Sequence, residues 1–561
     1  MSKFNGVFTR PVGVGHIRTE STSSGRNALG APGFRRDAKS ELFLLAVSNM
    51  VGEDTHHEKA NTRDSRYVRL IHEVATSDLE WVTAFAAWLR GSANMRSASL
   101  VLAAEAAAAA LKAGTPGSRK IVESVLQRAD EPGEMLAYWW THHGRHVPKP
   151  VKRGIADGAT RLYSERSLLK YDSDTKGVRF GDVIALMRPK PKAPWQEQLF
   201  RYAISSRLGA ELNTTGLPTL ANNTDLHRVD HLEARKLLST SRTDPQEIAD
   251  MLAGSGMTWE AIPSLVNGPW TAELWQVATP TMGYMALLRN LRNFDETGVS
   301  DEVAAQVAAR LADRAQVARS RQFPFRFYAA HKAVGSLRWG HTLETALGHS
   351  LANIPALPGR TLVLVDQSPS MFPGPYYSGN ASKNASKSDI AYAEKAALFG
   401  AAVALRAENA DLCGYGFKSY PVAFSKGDAV LRTMEKFRVE NGTDTFGALQ
   451  RNYRGHDRVV IVTDEQTRDN RQIADPRVRR QYGMDVLRPL DALVPAHVPV
   501  YTWNLGGYAY GHATGPNWYT FGGLTDQGFE MIPLIEGGRD SKWPWEQTNA
   551  ANPVSADGLS A

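Results

Sequence analysis

Residues 362–372, LVLVDQSPSMF, decide how the second half of this chain is read. Leu362–Val365 is an unbroken apolar run, and it ends abruptly in one carboxylate, Asp366, and two hydroxyls, Ser368 and Ser370. A strand that is apolar on both faces belongs in a parallel sheet covered by helices. The flanking sequence supplies such a pattern: TLVLVDQS (361–368), DLCGYGF (411–417), DRVVIVTDEQ (457–466) and VPVYTWNL (498–505) read as strands. Between them SDIAYAEKAALFGAAVALRAE (388–408) and KGDAVLRTMEKF (426–437) read as helices. Alternation of this kind predicts an α/β doubly wound, Rossmann-like sheet, which binds ligands at the C-terminal ends of its strands.

Asp366 and Asp464 both close such strands, and Thr443 from ENGTDTF (440–446) joins them. Asp366, Ser368, Ser370, Thr443 and Asp464 are oxygen donors without nitrogen or sulfur, a set suited to Mg²⁺, with Mn²⁺ or Ca²⁺ as alternatives, and unsuited to zinc or copper. Turn and N-cap duties explain any one of these residues but not the full set. The D-x-S-x-S spacing, with the later Gly-Thr-Asp and Thr-Asp, resembles the metal-ion-dependent adhesion site of von Willebrand factor A domains. That resemblance implies a noncatalytic cation completed by an acidic group of a partner. A hydrolase would require a base such as Glu465 or Asp444, yet residues next to a strand-end ligand point away from it. The polar loop PGPYYSGNASKNASKS (373–388) is longer than the fold requires.

The preceding 300 residues have a different grammar. In SDLEWVTAFAAWLRG (77–91), Ser77 and Glu80 predict a capping box and Gly91 a stop; in TDPQEIADMLAG (243–254), Asp244 is the N-cap and Pro245 the first helical residue. Many short helices without a fixed period predict a bundle or a solenoid. At 561 residues, with 42% hydrophobic and 22% charged residues, the chain is long enough for two or three folded domains. The N-terminus lacks the pattern of a secretory leader and no long apolar run is present, so a cytoplasmic protein with no membrane segment is expected. The single cysteine, Cys413, excludes an internal disulfide and reads as a packed core residue.

The net charge of +7 is concentrated. Arg145–Lys192 holds twelve Lys or Arg against five Asp or Glu, a surplus of 12 − 5 = 7, and residues 1–40 hold seven against two. Such clusters favour a polyanion, and the adjacent Tyr138, Trp139 and Trp140 offer either packing or base stacking. His142, His143 and His146 read as a polar helix end, not as a metal site. Arginines also interrupt apolar helices: Arg289 and Arg292, Arg321 and Arg326, and Arg96 beside Asn94. Because the helix dipole disfavours Arg96 at a helix start, a bound anion or a neighbouring carboxylate must answer it.

ANMRSASLVLAAEA (93–106), GIADGA (154–159), LKY and LMRPKP (169–171 and 186–191), LLRNLRNF (287–294) and FPFRFYAA (323–330), in this order before an A-type domain, resemble the TROVE-domain family of the Ro autoantigen and its bacterial relatives. The resemblance implies an all-α ring of HEAT-like helical repeats (41–356) closed by a von Willebrand factor A-type domain (357–540). A basic flexible arm (1–40) and a flexible tail (541–561) flank them. It further implies a monomeric, noncatalytic adaptor in RNA quality control. Y-like noncoding RNA would bind an outer face carrying Lys149, Lys152, Arg153, Lys170, Arg179, Arg188 and Lys190. Single-stranded 3′ ends of misfolded RNA would enter a central hole lined by Asn94, Arg96, Arg289, Arg292 and Arg326. An exoribonuclease such as polynucleotide phosphorylase would be a partner. Phe180 stands where vertebrate relatives carry a histidine in the outer site. The alternative from another class is a Mg²⁺-dependent adhesion scaffold that recruits an acidic protein, and a third reading makes the metal site purely structural.

Overall fold

The computed structural model describes residues 16–48, 51–52, 57–173, 175–208, 244–255, 258–264, 269–334, 336–352, 354–372, 390–468, 477, 480, 490–513, 515–524, 529, 531–536 and 543–546. They fall into two compact units, Ile71–Gln316 and a second formed by Met1–Leu70 with Val317–Ala561. The long loop 373–388 lies outside the described residues.

Among the described residues of Ile71–Gln316 the regular structure is helical throughout. Leu79–Gly91 packs on Arg96–Lys112, Ser118–Val125 packs on both, and Lys149–Leu162 packs on Ser118–Val125 and on Phe180–Met187. Helices thus meet neighbours a few steps along the chain, which is how stacked repeats bury faces that no single helix can cover. The N-cap of Leu79–Gly91 is Asp78, whose carboxylate accepts from the Trp81 amide at 3.0 Å. The expected Ser77 instead ends Ala60–Ser77 and donates back to the Val74 carbonyl at 3.1 Å. Asp was the better capping acceptor of two adjacent candidates. Asp244 caps Pro245–Ser255 as expected, accepting from the Gln246 amide at 3.0 Å.

The second unit carries the sheet. Its strands are β1 (Gly25–Arg26), β2 (Pro32–Arg35), β3 (Leu357–Asp366), β4 (Ala407–Tyr415), β5 (Ser419–Pro421), β6 (Arg458–Thr463), β7 (Val500–Asn504), β8 (Tyr510–Gly511) and β9 (Trp518–Gly522). Six of them form one sheet in the order β5-β4-β3-β6-β7-β9, parallel except for the β4–β5 pair. Leu362, Val363, Leu364 and Val365 are fully buried at its centre, and the helix Tyr392–Arg406 covers β3 and β4. From β3 the chain moves outward to β4 and β5, then returns to the other side of β3 as β6. The strand order therefore reverses between β3 and β6, and it is beyond the C-terminal ends of strands at such a reversal that sheets of this kind bind ligands.

The terminal segments depart from expectation. Much of the supposed arm is packed: β2 pairs with β8 through Phe34↔Gly511 and Arg35↔Tyr510, and β1-β2-β8 make a separate small sheet. His16 sits buried within 5.1–5.8 Å of the Phe43, Phe521 and Trp543 rings. Trp543 stacks on Trp545 at 5.4 Å, so the expected tail begins with an anchored pair of indoles. Residues 1–15 and 547–561 lie outside the described residues. Residues 41–70 and 317–356, read from sequence as part of the helical domain, group with the sheet, where Ala38–Ser48 packs on β9 and Gly340–Ser350 on Val430–Met434.

Gly154 and Gly158 let Lys149–Leu162 approach its neighbour. A Cβ at Gly154 would lie 2.7 Å from the Arg119 carbonyl oxygen, and one at Gly158 2.4 Å from the Leu126 Cδ1. Gly154→Ala gains about 1 kcal/mol of helix propensity, but the clash with backbone costs roughly 1–3 kcal/mol. Chemical denaturation should therefore show a net loss of stability; a gain would refute the close approach.

Candidate divalent-cation site and basic helices

The C-terminal ends of β3 and β6 bring Asp366, Ser368, Ser370 and Asp464 together. Asp366, Ser368, Ser370, Thr443 and Asp464 are all buried. One Asp366 oxygen accepts from the Ser368 amide at 2.9 Å and the other from the Thr463 hydroxyl at 2.6 Å, while the Ser368 and Ser370 hydroxyls lie 3.2 Å apart. Asp464 accepts from the Gln466 amide at 2.9 Å through Oδ1. Its Oδ2 is buried without a hydrogen-bond partner. Thr443 is tied to the same region, its carbonyl accepting from the Arg468 amide at 3.0 Å.

Burial raises the Asp366 carboxyl above its ordinary range against the pull of Ser368 and Thr463. Burial, and then the charge of Asp366, push Asp464 up to about 8. Two neighbouring carboxylates withdrawn from water oppose ionisation unless a positive charge is supplied. An unpartnered buried carboxylate oxygen among serine and threonine oxygens fits a hard cation such as Mg²⁺, which these five residues would hold.

The two carboxylates beside the site are occupied otherwise. Asp444 caps Thr445–Asn452, accepting from the Gly447 amide at 2.9 Å, and pairs with Arg451 at 3.3 Å. Glu465, held at φ 63°, is buried against Arg36, Asn504 and His512. Burial would raise its carboxyl, but Arg36, followed by His512 and Asn504, holds it down at about 2. Sequence reasoning missed Thr463, the strand residue that orients Asp366; its hydroxyl immediately before Asp464 was the available signal. It missed the role of Arg36 altogether, because that contact joins residues 429 positions apart.

In the helical unit the predicted cations divide by what they already hold. Lys149, Lys152 and Arg153 open Lys149–Leu162 at i, i+3 and i+4, a spacing that places them on one face, while Val151, Ile155 and Ala159 are buried. Lys149 and Arg153 are exposed and Lys152 is half-buried; Arg188 and Lys190 are exposed just past Phe180–Met187. The Lys190 carbonyl accepts from the Thr160 hydroxyl at 3.1 Å, which ties that segment to the same helix. None of these five makes an ion pair among the described residues. Lys170 lies over the Tyr171 ring at 5.4 Å. Arg179 instead pairs with the buried Asp172 at 2.8 Å, and the buried Phe180 stacks on Tyr163 at 3.9 Å.

Arg96 is answered by carboxylates: Asp130 and Glu131 at 3.1 Å each, and Glu134. Asn94 accepts from Arg90 at 3.4 Å, Arg289 is exposed, and Arg292 pairs with Glu296 at 3.4 Å. Arg326, half-buried over the Phe325 ring at 5.4 Å, belongs to the other unit. Trp139 is core, donating to the His146 carbonyl at 3.1 Å, whereas His143 contacts Glu105 at 3.1 Å and His142 stacks on Tyr138 at 4.0 Å. Cys413 is buried as expected, and burial, then Asp411, pushes its thiol up to about 11.

Residues 240–358 match the TROVE domain model. Over these residues the chain is similar to a TROVE domain. The match ends just inside β3, so the TROVE sequence boundary and the start of the sheet coincide. Telomerase protein component 1 of Mus musculus is 39% identical over 82 residues, 14% of this chain and 3% of that protein, and the protein of the same name from Rattus norvegicus matches to the same extent. The chain thus spans only 3% of the length of these curated relatives. Among solved structures, the Deinococcus radiodurans Ro (Rsr) protein aligns with 90% of this chain and 100% of its own, at 17% identity and a TM-score of 0.57. At that identity the likeness is one of fold, and it covers helices and sheet alike.

Asp464→Asn keeps the Oδ1 acceptor for Gln466 while removing one of the two like charges. In a chelator its unfolding midpoint should rise, by roughly 2–4 °C for each ~1 kcal/mol of repulsion relieved, and Mg²⁺ should no longer shift it. A lower midpoint in chelator would contradict the repulsion described above.

Proposed function

We propose that this chain is an RNA-binding protein of the Ro type, which holds a structured, Y-like noncoding RNA on its basic helices and acts as a noncatalytic adaptor in RNA quality control. One observation carries the reading: Lys149, Lys152, Arg153, Arg188 and Lys190 cluster on neighbouring segments of the helical unit without carboxylate partners among the described residues. Cations left to solvent in this way attract phosphates and release condensed counterions when they bind. The TROVE match and the Ro-like fold support the same reading. Single-stranded 3′ ends would meet Arg289 and Arg292 on Tyr284–Thr297, where both side chains are exposed. Arg179 and Arg96 act through their carboxylates, bracing the helices that carry the phosphate contacts. An exoribonuclease would then act on the RNA that this protein presents.

The sheet unit has a second task in this proposal. Mg²⁺ held by Asp366, Ser368, Ser370, Thr443 and Asp464, in the manner of a von Willebrand factor A domain, would provide a docking point for an acidic group of a partner protein. The unpartnered Asp464 Oδ2 supports it.

Fluorescence anisotropy with a stem-containing small RNA tests the first part. Affinity should fall steeply from 50 to 200 mM salt, and Lys149→Glu, Lys152→Glu and Arg153→Glu together should weaken binding at least ~10-fold and flatten the salt slope by about two to three. The RNA should stay intact during incubation with Mg²⁺. Equal affinity for the charge-reversed protein would remove the RNA assignment. Asp366→Ala should leave RNA affinity unchanged while abolishing any Mg²⁺-dependent capture of an acidic partner; if RNA binding fell instead, the two tasks would not be separate.

A further inference from the structure

The N-terminal segment reaches the cation site from outside it. Three of its residues grip three consecutive residues of the loop that follows Asp464. Arg36, with its side chain almost wholly buried, donates to Glu465 and also to the Tyr508 carbonyl at 3.3 Å. The Ala28 amide donates to the Gln466 side chain at 2.9 Å, and the Asn27 amide group donates to the Thr467 carbonyl at 2.7 Å. Asn27 is itself fixed, its Oδ1 accepting from the Leu29 and Ala31 amides at 3.0 Å each. The pairing of β2 with β8 holds Arg36 in register.

The loop passes this constraint to the ligands. The Gln466 amide donates to Asp464, and the Glu465 amide donates at 3.0 Å to the Thr463 hydroxyl that in turn donates to Asp366. On the other side, the Thr467 hydroxyl accepts from the Thr445 amide at 3.2 Å and the Arg468 amide donates to the Thr443 carbonyl at 3.0 Å. Thr443 and Asp464 therefore both hang on the segment 465–468. Glu465 also sits at φ 63°, a conformation costly for a side chain larger than glycine unless its surroundings enforce it.

We propose that residues 25–36 are a strap that belongs to the cation site, with Arg36 as the positioning residue that fixes Asp464 and Thr443 for the ion. The inference rests on the cation reading given above. Groups that orient metal ligands without touching the metal typically govern affinity by 10–100-fold when removed, and a site whose ligands lie on three separate segments depends on such support.

Mn²⁺ provides a direct probe. Titration of the full-length protein, followed by the electron paramagnetic resonance of free Mn²⁺, should give one site in the wild type and none in Asp366→Ala. Arg36→Met should weaken Mn²⁺ by about 10-fold or more, and Arg36→Lys should recover part of the loss. Asn27→Ala, which leaves the Arg36–Glu465 pair intact and keeps the test open if Arg36→Met does not fold, should weaken it several-fold. Gly154→Ala, destabilised in the helical unit, serves as the control and should bind as wild type does. Wild-type affinity in Asn27→Ala and in folded Arg36→Met overturns the strap, whereas a wild-type protein that binds no Mn²⁺ overturns the cation reading and the strap with it.

Discussion

Two like charges taken out of water at one sheet edge are the constraint on which the rest of the second unit depends. Asp366 and Asp464 lie side by side because β3 and β6 are adjacent, parallel and buried on both faces. Their own hydrogen bonds do not answer their charge, since Asp464 keeps a buried oxygen without a partner. The surrounding hydroxyls cannot neutralise a carboxylate, which is the basis for proposing a cation here. Arg36, a buried guanidinium nearby, is directed to Glu465.

The helical unit has the converse arrangement. Several of its partly buried arginines are matched: Arg90 and Arg96 share Glu131, and Arg179 holds Asp172. Such pairs fix helix geometry more than they add stability. Against that background the five unmatched cations around Lys149–Leu162 stand out, because nothing in the packing requires them. In the proposal made above, both units leave charge for an outside partner, the sheet unit for a cation with an acidic group and the helical unit for a polyanion.

The central strands β3 and β6 were legible in sequence because each is built on an uninterrupted apolar run, and the places of Asp366 and Asp464 because each closes such a run. The short edge elements were not. β9, WYTFG, alternates buried and half-buried residues, and β1, β2, β5 and β8 have only two to four residues, too few for a period to register. The charge count of Arg145–Lys192 located the basic helices correctly but could not tell Arg179, which is paired, from Arg188, which is exposed. Arg96 was legible only as a charge needing an answer; the carboxylates that supply it lie 34–38 residues away. The packed N-terminal segment was misread because its composition is polar and glycine-containing, while its order comes from contacts with residues more than 400 positions later.

Occupancy of the basic helices by RNA is tested by ultraviolet crosslinking in the native cells, with sequencing of the attached RNA and mapping of the crosslinked peptides. It predicts one abundant stem-containing small RNA, crosslinked within residues 145–192, and single-stranded 3′ ends crosslinked near Arg289. RNA recovery no greater than from a non-binding control protein, or crosslinks confined to residues outside the helical unit, would contradict it.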